Sequence, residues 1–354
     1  MLKSKLTHWP LQFIRPAGTS RGVMHMKNSW LLTLNNGTSE GYGEFSIIES
    51  LSPDWSSDYP KLLEKITDRI NQGEKIEELI QEFASFPSIV FGLETALLDL
   101  QNGGKRLIFD TAFYSGKQQI PINGLIWMND AETMYQSIQE KLKAGFDCIK
   151  LKIGAIEYEK ELELLQFIRK SFSPEIIEIR VDANGAFSPK RAQEVLEDLA
   201  DLQIHSIEQP IKQGQFEEMA KLCNQTPTPI ALDEELIGIN SRSEKEVLLD
   251  HIRPQYIILK PSLHGGIQGS NEWIDLAEKR KIGWWMTSAL ESNIGLNAIA
   301  QFASSFNTEM YQGLGTGSLY HNNIDSPLMV SKGHIYYDQQ KDWSIPSDIS
   351  FGSF

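Results

Sequence analysis

Six charged side chains follow short apolar segments in the central part of the chain, where they could act together on one substrate. They are Lys150, Lys152, Asp182, Glu208, Asp233 and Lys260. Three carboxylates from neighbouring elements suit Mg²⁺, which prefers an octahedron of oxygen ligands at about 2.0–2.1 Å. A lysine crowded by a like charge or a metal has a lowered pKa and can act as a base near neutral pH. The residue types therefore indicate metal-assisted proton abstraction beside a substrate carboxylate.

The spacing of these residues predicts the elements that position them. The intervals from Lys152 through the three acids to Lys260 are 30, 26, 25 and 27 residues, the length of a strand–helix unit. Apolar, strand-like segments occur at 121–126, 148–154, 177–183, 204–210, 229–235, 256–262, 283–289 and 310–315. Helical patterns such as 159–170 and 190–202 lie between them. About eight such units predict a (β/α) TIM-type barrel, with function at the carboxyl ends of its strands.

Alternatives remain at this level. A doubly wound open sheet has similar spacing, but no Gly-x-Gly-x-x-Gly follows the first predicted strand. A single acid after a strand often caps the next helix, whereas three in series favour metal ligation. Lys150 and Lys152 share one face of the second strand. That face could be solvent-exposed, but both faces of a parallel sheet are normally covered.

The N-terminal part of the chain has a different pattern. Its predicted strands and helices are, in order, 30–34, 42–48, 60–73 and 89–104. The turn-forming residues Asn35, Asn36 and Gly37 separate the two strands. Strands followed by helices predict an α+β domain, to which we assign residues 1–118, with the barrel over 119–324.

Composition limits the class of protein. The 354 residues carry a net charge of −14, which argues against nucleic-acid or anionic-membrane partners. Cys148 and Cys223 do not form a disulfide framework, and the N-terminus has no signal-peptide pattern. No apolar segment is long enough to cross a bilayer. We expect a cytoplasmic protein that binds a small-molecule carboxylate, and we leave homo-oligomerisation open.

The motifs, taken in order, resemble the enolase superfamily and its muconate-lactonizing subgroup. They are 150-KLK-152, 182-DAN-184, 208-EQP-210, 233-DEE-235 and 260-KPS-262, together with 40-EGYGE-44 and 92-GLETALLDL-100. The resemblance covers essentially the whole chain. It implies a modified (β/α)7β barrel with an α+β N-terminal capping domain, and a C-terminal segment, 325–354, that returns to the cap.

The resemblance also implies roles for the charged residues. The metal ligands would be Asp182, Glu208 and Asp233, which would hold Mg²⁺ or alternatively Mn²⁺. Lys152 would be the acid/base and Lys260 the lysine across the substrate ring. Lys150 would support Lys152, and Asn184 would orient the lysine pair.

Within the subgroup, 286–304 is similar to the seventh-strand region of o-succinylbenzoate synthases, and 15–32 resembles their flexible cap loop. The implied reaction is a metal-dependent syn-dehydration of 2-succinyl-6-hydroxy-2,4-cyclohexadiene-1-carboxylate, through an enediolate, in menaquinone biosynthesis. The alternative is a dipeptide epimerase or N-acylamino acid racemase. Dipeptide epimerases carry an Asp-x-Asp pair late in the barrel, whereas 313–320 contains no acid. A barrel that binds a carboxylate without catalysis is disfavoured by the intact lysines and acids.

Four further residues are predicted to contact the substrate: Arg21, Arg180, Ser262 and Ser288. Arg21 would bind the distal carboxylate from the cap loop, since arginine suits carboxylate recognition; a solvated loop arginine is the alternative. Arg180 shares a strand face with Asp182 and would reach the substrate or balance the acids. The serines would donate hydrogen bonds or cap helices. Glu291 is expected to be a buried structural acid.

Overall fold

An α+β cap forms the N-terminal part of the protein. The computed structural model describes residues 2–19, 22–154, 157–307 and 309–351. The elements of the cap are β1 (Lys3–His8), β2 (Leu11–Thr19), β3 (Gly22–Lys27), β4 (Ser29–Asn35), β5 (Glu40–Ser46), α1 (Tyr59–Asn71), α2 (Ile76–Glu82) and α3 (Pro87–Gln101). Strands β1, β4 and β5 form an antiparallel sheet, and β2 and β3 form a separate antiparallel ribbon.

Helix α3 lies between the cap and the barrel because it is apolar on nearly all sides. Ile89 and Leu93 belong to the core of the cap, while Phe91 packs into the core of the barrel. The helix approaches β5 closely, since a Cβ atom at Gly43 would collide with the main-chain oxygen of Gly92. Glycine at this contact allows the two elements to pack backbone to backbone.

The predicted TIM-type barrel is confirmed. Its elements are β6 (Ile120–Pro121), β7 (Gly124–Ile126), α4 (Ala131–Lys143), β8 (Cys148–Lys152), α5 (Tyr158–Ser171), β9 (Glu178–Asp182), α6 (Pro189–Asp201), β10 (Ser206–Glu208), α7 (Phe216–Gln225), β11 (Ile230–Leu232), α8 (Arg242–Ile252), β12 (Tyr256–Leu259), α9 (Gly266–Lys279), β13 (Gly283–Met286) and α10 (Asn293–Ser304). Strands β7 to β13 pair in parallel and in sequence order. Parallel bridges from Thr287 to Gly313 and from Ile122 to Gln312 place the segment around 312–313 in the eighth position.

Alternation along β8 orients the lysine pair. Ile149 and Leu151 belong to the core that contains residues of both the strands and the surrounding helices. Lys150 and Lys152 take the opposite face, where their ammonium groups contact Glu208 and Asp182. The inward orientation predicted for the pair is therefore present.

The predicted cap loop is largely β-structure. In the β2–β3 ribbon, Ala17 pairs with Met24 and Gly18 with Val23. The Ile14 amide also donates to the Leu319 carbonyl oxygen at 2.8 Å, which joins the ribbon to the segment after the eighth strand position. Extended pairing on both edges of β2 explains why this part is not an irregular loop.

The last part of the chain contacts both the barrel and the cap. Strands β14 (Leu328–Ser331) and β15 (His334–Tyr337) form a sheet with β6. Further on, the Ser350 carbonyl oxygen accepts a hydrogen bond from Lys5 Nζ at 2.9 Å, and that of Ile349 from Thr33 Oγ1 at 2.8 Å. These contacts support a division into 1–118, 119–324 and 325–354, which we keep as a proposal. Among the described helices, none has the length and apolar character needed to span a membrane.

Candidate active site

Strand register brings the first charged residues to one level of the barrel. Lys152 on β8 is paired with Asp182 on β9, which in turn is paired with Glu208 on β10. Asp233 follows β11, and Lys260 follows β12. Because the strands are parallel, their carboxyl ends meet at the same end of the barrel.

The six side chains form one buried ionic group. Lys152 Nζ lies 2.8 Å and Lys150 Nζ 3.1 Å from Asp182 Oδ2. Lys150 also contacts Glu208, and Lys260 contacts Asp233. None of the six is more than 9% exposed. Such burial is tolerated because each charge faces an opposite one.

The group shifts the pKa values of its members in opposite directions. Burial would lower the pKa of Lys150, but the charges of Asp182 and Glu208 outweigh it and raise the pKa. Burial would raise the pKa of Asp182, but Lys150 and Lys152 hold it well below its usual range. The pKa of Glu208 is raised by burial and then by the neighbouring Asp182 carboxylate. Glu208 is thus the acid for which a further cation would be most favourable.

The carboxylates fit a divalent metal ion. Glu208 Oε1 and Asp233 Oδ1 are buried and have no hydrogen-bond partner within the described ranges. An unpartnered buried carboxylate oxygen is costly, and a hard cation with oxygen ligands would satisfy both atoms. No ready-made cluster of three acid, histidine or cysteine ligands occurs in the same ranges. The lysine ammonium groups contact the remaining oxygens of the acids.

Asn184 orients Lys152 and is itself held by an acid that sequence reasoning missed. Its Oδ1 accepts a hydrogen bond from Lys152 Nζ at 2.7 Å, and its Nδ2 donates to Glu234 Oε1 at 3.1 Å. The backbone of Asn184 has a φ of 45°, a left-handed conformation that asparagine adopts more readily than most residues. Residues 233–235 are all acidic, and the sequence does not indicate which of them contacts Asn184. The role of Glu234 is therefore not predictable from the sequence.

Two other buried residues fix the ends of the strands that precede Asp233 and Lys260. The Gln209 side-chain oxygen accepts from the Asp233 amide at 3.3 Å, and its nitrogen donates to Glu235 Oε2 at 2.8 Å. His264 Nδ1 accepts from the Lys260 amide at 2.9 Å. Burial lowers the pKa of His264 to about 3, which keeps the ring neutral. The sequence does not predict these roles for Gln209 and His264, because neither a glutamine nor a lone histidine has a diagnostic spacing.

A cavity of about 450 Å³ opens beside the ionic group. Barrel residues in its lining include Lys150, Lys152, Asp182, Asn184, Glu208 and Lys260. Its other walls are mainly apolar and come from the cap and neighbouring loops: Ile14, Val23, Met24, Ile48, Leu51, Trp127, Leu290 and Leu319. The ionic group therefore lies at one side of a cavity whose other walls are mainly apolar.

The structure corrects the prediction for Arg180. Its side chain faces the barrel axis, but one level further from the mouth than Asp182, and it is not part of the described cavity lining. It donates to Glu178 Oε1 at 2.6 Å and to the Tyr311 carbonyl oxygen at 2.9 Å, and it stacks 4.2 Å from the ring centroid of Trp285. These contacts direct it toward the barrel interior instead of the substrate.

The two serines also have internal partners. Ser262 Oγ and Ser288 Oγ each donate to Glu291 at 2.5 Å. Ser288 still lines the cavity, whereas Ser262 is fully buried behind it. Glu291 is buried as predicted. Arg21 lies outside the described residues, and Arg15 of β2 lines the cavity.

Curated relatives include an enzyme similar over most of the chain. The o-succinylbenzoate synthase of Desulfotalea psychrophila is 47% identical over 352 residues, covering 91% of this chain and 95% of the relative. A hydrophobic dipeptide epimerase of Enterococcus faecalis is 28% identical, covering 66% of this chain and 65% of the relative. The similarity to the synthase is therefore both greater and more extensive.

Solved structures include one that is similar in sequence and fold over nearly the whole chain. The crystal structure of MenC from Desulfotalea psychrophila matches with a TM-score of 0.84 and 42% identity, covering 95% of this chain and 99% of that one. The muconate lactonizing enzyme of Pseudomonas fluorescens has a TM-score of 0.80 at 21% identity, covering 99% and 97%, and shows the shared fold. The model of the "Enolase C-terminal domain-like" family matches residues 133–341. The chain belongs to this family and, with it, to the enolase superfamily.

Proposed function

We propose that the protein is an o-succinylbenzoate synthase, which dehydrates 2-succinyl-6-hydroxy-2,4-cyclohexadiene-1-carboxylate to o-succinylbenzoate. The observation that carries the proposal is the 47% identity to a synthase across 91% of the chain. Supporting it, the lysines and carboxylates expected for the chemistry lie together at the barrel mouth. We place the reaction in cytoplasmic menaquinone synthesis, in keeping with the two buried free cysteines.

The proposed metal ligands are Asp182, Glu208 and Asp233. When bound there, Mg²⁺ would supply positive charge that stabilises the negative charge developing on the substrate carboxylate; Mn²⁺ is an alternative. The structure of the Enterococcus faecalis dipeptide epimerase is described as a complex with Mg and a dipeptide, which makes magnesium the first ion to test.

Lys152 is the proposed acid and base. Its neutral amine removes the proton from the ring carbon that bears the carboxylate. The C–O bond on the neighbouring ring carbon then breaks, and Lys152 returns the proton to the departing hydroxyl, which leaves as water. Asn184 and Asp182, each a hydrogen-bond acceptor for Lys152 Nζ, hold the nitrogen in place. Lys260, as an ammonium, stabilises the opposite side of the ring.

The cavity supports a substrate with a hydrophobic ring. Its apolar wall, with Val23, Met24 and Trp127, suits a cyclohexadiene ring. The segment 313–320, part of which lines the cavity, has no acidic side chain to pair with an α-ammonium. We retain Arg21 as the proposed partner of the distal carboxylate.

The decisive experiment mixes the purified enzyme with the cyclohexadiene acid and Mg²⁺ and follows formation of the aromatic product by absorbance. We expect rapid conversion that chelation of the metal abolishes. Lys152→Ala should lower kcat by about 10³-fold or more while Mn²⁺ binding, measured by electron paramagnetic resonance, persists. Unchanged turnover in the variant would contradict the role of Lys152.

A folded, metal-loaded enzyme that leaves the acid unconverted would exclude the synthase. Deuterium exchange at the α-carbon of dipeptides and N-acylated amino acids would then test the epimerase and racemase alternatives. A matched control is Lys245→Met, which removes another buried lysine on α8, where it pairs with Glu272 at 2.8 Å outside the described cavity lining. This variant should retain synthase kinetics.

A further inference from the structure

A buried polar cluster joins the cap to the loops that follow the sixth and seventh barrel strands. We call it the seam cluster; its members are Lys27, Ser29, Glu44, Ser46, Ser262, Ser288, Glu291 and Ser292. None of these side chains is more than 4% exposed. Four belong to the cap and four to the barrel, so the cluster crosses the boundary between the two parts.

Glu44 attaches the cap to the start of α10. Its carboxylate accepts hydrogen bonds from the Ser292 amide at 2.9 Å, from Ser292 Oγ at 2.5 Å and from the Gly295 amide at 3.1 Å. An anion at a helix N-terminus satisfies free amides and interacts well with the helix dipole. Strand β5 is thereby fixed to a barrel helix 248 residues further along the chain.

Lys27 connects this anchor to the ribbon. It is the last residue of β3, and its Nζ donates to Ser46 Oγ at 2.6 Å and to Ser29 Oγ at 3.0 Å. Ser29 Oγ in turn donates a hydrogen bond to Glu44 Oε1 at 2.7 Å. Burial lowers the pKa of Lys27, and the negative charges of Glu44 and Glu291 oppose that effect. Lys27 Nζ is therefore linked to the buried Glu44 carboxylate through the Ser29 hydroxyl.

Glu291 extends the cluster to the active site. Its two oxygens accept from Ser262 and Ser288, each at 2.5 Å. Ser262 is two residues beyond Lys260, and Ser288 lines the cavity. Burial raises the pKa of Glu291, while the Lys27 charge acts in the opposite direction. Glu291 thus joins the loop after Lys260 to the cavity wall, and the next residue, Ser292, is bonded to Glu44 of the cap.

We propose that Lys27 is a positioning residue, which through the seam cluster couples the placement of the β2–β3 ribbon to the Ser288–Leu290 wall and the Lys260 loop. Val23 and Met24, on the same strand as Lys27, line the cavity opposite the barrel residues. Through its hydrogen bonds to Ser29 and Ser46, Lys27 sets how the two walls of the cavity meet, and with it the affinity for substrate. This inference rests on the proposed function only where substrate turnover is measured.

The test compares Lys27→Met with wild type as full-length, magnesium-loaded enzymes. We expect KM for the cyclohexadiene acid to rise about tenfold or more, with a much smaller change in kcat, because the lysine acts on the cavity wall and not on the reacting atoms. Amide hydrogen exchange should increase both in 22–27 and in 286–292. Lys245→Met is the control: it should lower Tm but leave KM and exchange in both segments unchanged.

A second substitution tests the coupling itself. Removing the Glu291 charge with Glu291→Gln in the Lys27→Met background should recover part of the lost affinity, because the unopposed buried anion is gone. The proposal would be overturned by an unchanged KM in Lys27→Met, or by amide hydrogen exchange that increases in the ribbon alone. Strictly additive effects of the two substitutions on KM would also overturn it. If Lys27→Met does not fold, Glu291→Gln alone must change exchange in both segments.

The two proposals fail in distinguishable ways. A wild-type enzyme without synthase activity would contradict the proposed function, while the exchange comparison would still decide whether Lys27 couples the two segments. Conversely, if the wild-type enzyme is active but Lys27→Met does not change hydrogen exchange in both 22–27 and 286–292, the proposed function stands and the proposed coupling is wrong.

Discussion

At the scale of single residues, the ionic group at the barrel mouth contains equal numbers of lysines and acids. Three lysines face three carboxylates at the ends of neighbouring strands, so the fully ionised group is neutral before a metal binds. A divalent cation would leave it with two positive charges, or with one when Lys152 is the neutral amine that acts as the base. Either excess favours the proposed substrate, which carries two carboxylates.

Asn184 offers a clean test of how Lys152 is oriented. The variant Asn184→Gly removes the amide that holds Lys152 Nζ, and glycine is well suited to the φ of 45° at this position. We expect kcat to fall by about 10- to 100-fold, as for other partners that orient reactive groups, with Tm close to that of wild type. Steady-state kinetics and calorimetry measure the two effects.

The matched variant Asn184→Ala distinguishes the effect of losing the side-chain amide from the effect of backbone strain. It loses the same amide but keeps a Cβ in the left-handed conformation, which costs about 1 kcal/mol or more. It should therefore show the kinetic defect together with a lower Tm. Equal kcat in wild type and Asn184→Gly would mean that Lys152 needs no orientation by this residue.

At the scale of elements, regular spacing made the barrel predictable, but strand alternation did not settle what each inward side chain contacts. The intervals of 25–30 residues between polar strand ends reflect a repeated strand–helix unit, and that unit is present. For Arg180, alternation gave the correct face of β9. Lys150 and Arg180 are paired at the same level of the barrel, yet only Lys150 reaches the ionic group and the cavity. Tertiary packing decides which partner an inward side chain contacts, and no local pattern encodes that choice.

Arg180 is instead expected to stabilise barrel closure. Its hydrogen bond to the Tyr311 carbonyl oxygen holds the irregular segment in the eighth strand position. We predict that Arg180→Met lowers the free energy of unfolding by about 1–3 kcal/mol, since it removes the hydrogen bonds to Glu178 and to the Tyr311 carbonyl oxygen. KM should remain unchanged. Chemical denaturation and kinetics test this; a large rise in KM with normal stability would restore the substrate-binding role.

The seam cluster was not predictable for a different reason. Lys27, Glu44 and Glu291 come from distant parts of the sequence, and none belongs to a periodic pattern. Glu291 was expected to be a buried acid, but its interaction with Lys27 depends on how the cap docks on the barrel. Such contacts between domains are set by tertiary packing, which a single sequence does not display.

A second contact between cap and barrel predicts a pH effect. Glu94 on α3 accepts hydrogen bonds from the Ile267 and Gln268 amides at the start of α9. Burial outweighs these bonds and raises the pKa of Glu94 to about 7. Because the folded protein holds this proton more tightly than the unfolded chain, the group favours folding at low pH, and that contribution is lost as pH rises from about 4.5 to 7.

The measurement is Tm against pH for wild type and Glu94→Gln, which does not titrate. The wild-type Tm should fall relative to that of the variant between pH 4.5 and 7, with a constant difference above that range. Parallel curves across the whole range would contradict the raised pKa.

At the scale of the whole molecule, metal binding should stabilise the fold. The three carboxylates come from three strands, and two of their oxygens lack hydrogen-bond partners in the described structure. A cation held by all three would therefore cross-link the barrel. With free Mg²⁺ at about 100 times Kd, the expected stabilisation is about 2.7 kcal/mol, measured as a rise in Tm. Glu208→Gln should show a smaller rise, and an equal rise would place the metal elsewhere.

The apolar wall of the cavity and its charged side belong to different stretches of backbone. The β2–β3 ribbon contributes Ile14, Val23 and Met24 to the cavity but none of the six charged residues. Mutations in the ribbon can therefore change which acyl group fits while proton transfer continues. An ancestral enzyme of this kind can drift in substrate range through variants that all remain active, provided that Lys27 keeps the ribbon attached.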